Sequence, residues 1–82
     1  MPTVARFAAY RVVIYPNDHR PEHVHVIGKG VEVIFGVNCP NGEIELRENY
    51  GASRNQVSQI RRQLKLLQNR ICGAWEKIHG ER

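Results

Sequence analysis

The 82-residue sequence predicts an α+β fold: a small antiparallel β-sheet of three to four strands packed by one long C-terminal α-helix. Short runs rich in β-branched and aromatic residues in the first half, three of them ended by Pro, Gly or Asn, predict the strands, together with one short alternating segment. Apolar residues that recur every three or four positions near the C-terminus predict the helix. With 41% hydrophobic and 24% charged residues, the chain has the composition of a single globular domain.

Four segments of the first half are predicted strands. Pro16 ends the first segment, and a glycine-rich turn around Lys29 joins the second and third as a hairpin. Asn41-Gly42 is a strong turn signal before the fourth segment. In chain order the predicted strands are residues 10–15, 23–27, 31–37 and 43–46.

One helix is predicted over residues 53–79. Ser53 followed by Gln56 fits a capping box, in which each side chain satisfies a backbone amide of the other residue. The apolar stripe that follows is expected to pack on the sheet, although its spacing also suits pairing with another helix. The expected core consists of Phe7, Val12, Ile14, Val24, Val26, Val33, Phe35, Val57, Ile60, Leu64, Leu67, Ile71 and Trp75.

The basic charge of the chain is concentrated in the predicted helix. Residues 53–82 contain seven Lys or Arg and two Glu, whereas residues 1–52 contain five Lys or Arg and six Asp or Glu. This asymmetry predicts an acidic protein surface or a nucleic acid as partner; a solvated helix face without a partner is the alternative. The candidate binding residues are Asp18, Arg54, Arg61, Arg62 and Lys65, with Leu66 as an apolar neighbour.

Two further features bear on location and assembly. No apolar run approaches the roughly 18 residues of a membrane span, and the N-terminus lacks the pattern of a secretory signal, so no membrane association is expected. Cys39 and Cys72 are too few for a disulfide scaffold, which favours free thiols in a cytoplasmic protein. A core this small predicts a homodimer or a complex with another protein.

Three of the four histidines lie within seven residues, as His19, His23 and His25. His23 and His25 are two positions apart, so their side chains share one face of the predicted strand, and His19 lies in the preceding loop. Three interpretations of this segment stay open. They are acid–base chemistry, metal binding, and a structural role in which the histidines satisfy the backbone of the turn.

Acid–base chemistry would act on RNA. His19, His23 and His25 would exchange protons with a 2′-hydroxyl and a leaving 5′-oxygen, and Arg20 would stabilise the charge on the phosphate. Under this interpretation the protein would be a metal-independent ribonuclease, and no cofactor is expected. Alternatively, His19, His23 and His25 together would ligate zinc or a similar ion.

The segment also carries a resemblance to a known family. The string Asn17-Asp18-His19-x-Pro21-x-His23-Val24-His25-Val26, with Ser53-Arg54 and Trp75 further on, resembles the small bacterial family of domain of unknown function 4160. The resemblance implies a compact sheet-plus-helix domain, often encoded beside a second small protein in the manner of a toxin–antitoxin pair. Residues 37–42 depart from the family pattern. This departure affects the loop before the last predicted strand and leaves the histidine segment unchanged.

The resemblance ranks the functional hypotheses. It implies a toxin-like protein that acts on RNA or translation, with a small acidic, antitoxin-like protein as partner. The first alternative is a non-catalytic module that docks an acidic partner through its basic helix. The second alternative is a histidine-based metal-binding domain.

Overall fold

The computed structural model describes residues 3–17 and 21–79, and within them a five-stranded antiparallel sheet is packed by two helices. The predicted α+β class is confirmed; the sheet has five strands where three to four were predicted, and two consecutive helices occupy the region predicted as one long C-terminal helix. The strands lie in the sheet in chain order: β1 (Thr3–Phe7), β2 (Tyr10–Val13), β3 (His23–Gly28), β4 (Val31–Gly36) and β5 (Glu45–Tyr50). The helices are α1 (Arg54–Leu66) and α2 (Gln68–His79).

Two hairpins form the first four strands, and only one of them has a turn signal in the sequence. In the predicted β3–β4 hairpin, Lys29 and Gly30 have φ values of 51° and 76°, as a type I′ turn requires. The β1–β2 hairpin turns instead at Ala8, whose φ is 50°, and Ala9. No Gly, Asn or Pro marks this turn, which explains why β1 was not predicted.

The last strand, β5, begins and ends later than predicted and contains a bulge. Ile34 pairs with Glu48 and Phe35 pairs with Leu46, so Arg47 is the extra residue. The bulge follows the alternating residues 43–46 on which the prediction depended, and the strand continues beyond it to Tyr50. Every residue of β5 is exposed, and within the described residues β5 pairs with β4 alone, at the edge of the sheet.

The two helices form one helical run with a break at Leu67. The capping box at the start is confirmed: the Gln56 amide donates to Ser53 Oγ at 3.1 Å, and the Ser53 amide donates to Gln56 Oε1 at 2.8 Å. The Leu67 amide bonds to two carbonyls of α1, and the Ile71 amide to the Leu67 carbonyl, so the hydrogen-bonded path continues. Gln68 is 4% exposed, and its Nε2 donates to the Val37 carbonyl at 2.7 Å.

The core lies between the helices and one face of the sheet. All thirteen predicted core residues are buried except Phe7 and Leu67, which pack against the core and are partly buried. Of the two helices, α1 and α2, neither combines the length and the apolar character needed to cross a bilayer.

A disulfide joins Cys39 to Cys72, so the expectation of free thiols is wrong. The two Cα atoms lie 5.8 Å apart although 33 positions separate the residues. That proximity arises only when α2 packs beside the loop after β4, which no local sequence pattern reveals. The bond also removes the cysteine-based support for a cytoplasmic location, which stays a prediction.

Candidate functional site

The two histidines of β3 lie side by side on the face of the strand opposite Val24 and Val26. Val24 and Val26 alternate with them and are fully buried, so His23 and His25 project the other way. Their ring centroids are 5.5 Å apart. The predicted pairing of these two histidines on one strand face is therefore present.

Each imidazole is oriented through its Nδ1 atom. His23 Nδ1 lies 2.9 Å from the Pro21 carbonyl oxygen, and His25 Nδ1 lies 3.2 Å from Glu32 Oε2 on β4. Both oxygens are hydrogen-bond acceptors, so in each imidazole Nδ1 is the donor atom of this contact. The His25 side chain is 14% exposed and its Nε2 is buried, whereas His23 is partly exposed where β3 begins.

Arg47, which the sequence did not single out, brings a positive charge to the same face. Gly36 pairs directly with His23, and the Arg47 guanidinium lies over Gly36, where a Cβ atom would be 2.6 Å from Arg47 Nε. Because directly opposite residues share a face of the sheet, the guanidinium lies on the face that carries His23. The bulge that places Arg47 there also breaks the alternation of the strand, so the sequence pattern does not indicate which face carries Arg47.

Aromatic rings surround the histidine pair. Tyr15 packs edge-on against His25 with centroids 4.8 Å apart, and Trp75 of α2 lies 5.6 Å from His23. Trp75 is 1% exposed and stacks on His79 at 4.0 Å. Trp75 Nε1 and His79 Nε2 are buried without a hydrogen-bond partner among the described residues. The packed rings restrict where the His23 imidazole can lie.

Several predicted site residues are not located. Asp18, His19 and Arg20 lie outside the described residues. Residues 3–17 and 21–79 contain no group of three His, Cys, Asp or Glu side chains positioned to hold a metal ion. The metal-site interpretation therefore has two of its three ligands, His23 and His25, on one face and its third outside the described residues.

The predicted basic residues lie on a separate surface. An open groove of about 1000 Å³ runs between β5 and α1. We call it the basic groove because three cations of α1 outnumber the two glutamates that also line it; its lining residues are Glu43, Ile44, Glu45, Leu46, Ser58, Arg61, Arg62, Lys65 and Leu66. Arg54 is exposed at the start of α1 and does not line it. Since Leu46 pairs with Phe35 of the core, the groove is on the helix side of the sheet, opposite the histidines.

Comparison with known proteins assigns a family. A family model described as domain of unknown function (DUF4160) matches residues 9–76, a range that includes His23, His25, Gly36, Arg47 and Trp75. No curated protein and no solved structure matches the chain. Since the match spans most of the 82 residues, the protein belongs to the DUF4160 family, as the histidine string predicts.

Proposed function

We propose that this protein acts on RNA as the toxin-like component of a two-gene module, with His23 as its acid–base group and Arg47 as its phosphate ligand. The supporting observation is that Arg47 lies over Gly36, the direct cross-strand partner of His23. An imidazole can both accept and donate a proton, and a guanidinium binds phosphate oxygens with two parallel hydrogen bonds. Side by side, the two groups suit a phosphodiester.

The proposed reaction is cleavage by the RNA's own 2′-hydroxyl. His23 Nε2 removes the hydroxyl proton, the 2′-oxygen bonds to phosphorus, and the bond from phosphorus to the 5′-oxygen breaks. Arg47 stabilises the negative charge that develops on the phosphate oxygens. The leaving 5′-oxygen needs a proton, and His19 stays the predicted donor, with Arg20 as a second predicted phosphate ligand. The products are a 2′,3′-cyclic phosphate and a 5′-hydroxyl, and no metal is needed.

His25 is assigned a positioning role instead of direct contact with RNA. Its Nε2 is buried, and its Nδ1 faces the Glu32 carboxylate at 3.2 Å. The His25 imidazole is therefore fixed by a hydrogen bond to Glu32 of β4 and by edge-on packing against Tyr15. Its packing against His23, together with that of Trp75, keeps the reactive imidazole in place for a substrate.

Cleavage of an end-labelled RNA by tag-free protein in the presence of EDTA tests this proposal. We expect 2′,3′-cyclic phosphate termini, and a rate that falls about 100-fold in His23→Ala, as loss of a general base implies. Arg47→Ala should fall by a similar factor because it removes transition-state charge stabilisation. Arg70→Ala, which removes an exposed positive charge from α2, should cleave as the wild type does.

The same variants are then compared for growth inhibition on induced expression. Circular dichroism and thermal melting establish that each variant is folded. A folded His23→Ala protein that still cleaves RNA and arrests growth would disprove the proposed role of the histidine site. Cleavage that EDTA abolishes would favour the metal-binding alternative.

A further inference from the structure

The exposed edge of the sheet is β5, and the basic groove runs along it. The opposite edge, β1, is in contact with α2, whereas all six residues of β5 are exposed. An edge strand presents a row of backbone N–H and C=O groups that can pair with one more strand. The bulge at Arg47 and the charges of β5 discourage indiscriminate pairing, so a partner has to be complementary.

The groove combines apolar surface with positive charge. Leu46 and Leu66 are 41% and 75% exposed, and both line it. Leu66 lies one helical turn after Arg62 and directly after Lys65, so the apolar surface is flanked by cations. Exposed apolar surface with a polar rim, next to an open sheet edge, is typical of a protein-binding site.

Two of the cations are held in place by the backbone that leads into β5. Arg61 Nε donates to the Ile44 carbonyl at 3.2 Å, and its guanidinium lies 5.8 Å from the centre of the Phe35 ring. Lys65 Nζ donates to the Gly42 carbonyl at 3.0 Å. Because these side chains are already ordered, little rotamer entropy remains to be lost when a ligand binds.

We propose that the basic groove binds an extended acidic segment of a partner protein, which pairs with β5 as a sixth strand. Main-chain hydrogen bonds to β5 supply affinity, and the side chains on the helix side supply specificity. On that side the segment presents carboxylates to Arg62 and an apolar residue to Leu46 and Leu66. On the other side it presents neutral or basic residues, because Glu48, which pairs with Ile34, projects there.

Charge disfavours the two other occupants. Antiparallel pairing of β5 with β5 of a second copy would place the helices of both copies on one side. The basic residues Arg61, Arg62 and Lys65 of each copy would then face one another across the new strands. RNA carries a charge on every phosphate and cannot confine it to one side, so it would also meet the carboxylates of β5. The hydrogen bond from Tyr50 to Glu48, which raises the pKa of Tyr50, reflects that negative charge.

Selection from a library of random dodecapeptides displayed on phage, against tag-free wild-type protein, tests the proposal. We expect enriched peptides with Asp or Glu at alternate positions. Affinity of the synthetic peptides, measured by calorimetry, should fall about tenfold or more in Arg62→Glu. Arg70→Glu makes the same charge change on α2, outside the groove, and should bind as the wild type does. Bound peptide should slow hydrogen exchange of the β5 amides.

The absence of acidic alternation in the selected peptides would overturn the proposal, as would unchanged affinity in a folded Arg62→Glu protein. Protection of amides away from β5, or a β5-paired homodimer in solution, would overturn it as well. A uridine oligonucleotide that binds the wild type and loses affinity in Arg62→Glu would assign the groove to RNA instead. His23→Ala should bind the selected peptides as the wild type does, so this test stands apart from the cleavage test.

Discussion

Gly36 is the residue that makes room for the candidate site. The Arg47 side chain occupies the volume that a Cβ atom at this position would need. A larger residue opposite His23 would therefore displace the guanidinium from the histidine face. The juxtaposition of His23 with Arg47 depends on this one missing side chain as much as on either charged group.

We therefore predict that Gly36→Ala reduces RNA cleavage with little loss of stability. The new Cβ atom meets the end of a flexible side chain, so Arg47 moves away while the backbone stays in place. We expect RNA cleavage to fall nearly as far as in Arg47→Ala. The urea midpoint should change little, because the preference for Ala over Gly in a strand, about 0.5–1 kcal/mol, offsets the cost of displacing the Arg47 side chain.

Gly73→Ala provides the matched control. A Cβ atom at this position has no neighbour within 4 Å, and Gly73 lies in the interior of α2. Cleavage should be unchanged, and the free energy of unfolding should rise by about 0.5–1 kcal/mol. Wild-type cleavage by Gly36→Ala would show that the position of Arg47 over Gly36 has no part in the reaction.

At the level of the elements, local signals decide what the sequence can predict. Ser53 and Gln56 specify the start of α1, and Lys29-Gly30 specifies the β3–β4 turn, so both were predictable. The β1–β2 turn places Ala8 at a positive φ without a residue that favours it. The break at Leu67 has no Gly or Pro either, and the adjacent Gln68 is buried against the Val37 carbonyl, a contact 31 positions away.

The Cys39–Cys72 disulfide joins α2 to the loop that follows β4. The bond closes a loop of 33 positions, and in the chain-entropy account such a loop stabilises the folded protein by about 3–4 kcal/mol. We expect the Cys39→Ser, Cys72→Ser double variant to show this loss in urea denaturation, and the reduced wild type to match it. Equal stability of the oxidised and reduced proteins would contradict the role of the disulfide in holding α2.

For the whole molecule, the two proposed surfaces lie on opposite sides of the sheet and meet at β5. Arg47 of β5 lies on the histidine face, whereas Leu46 of β5 lines the basic groove. The charge asymmetry and the histidine string were visible in the sequence, and they predicted the ingredients of both surfaces. Their assembly was not predictable, because the bulge, the disulfide and the packing of Trp75 on His23 join residues that are distant in the chain.

Side-chain NMR with a non-cleavable RNA detects phosphodiester binding at the histidine face itself. A short oligonucleotide with 2′-deoxyribose at the scissile position is titrated into isotope-labelled protein, and the imidazole and guanidinium nitrogen signals are followed. We predict saturable shifts at His23 Nε2 and Arg47 Nε, with Arg62 unaffected. Shifts confined to Arg61, Arg62 and Lys65, or no shifts at all, would contradict a phosphodiester site on the histidine face.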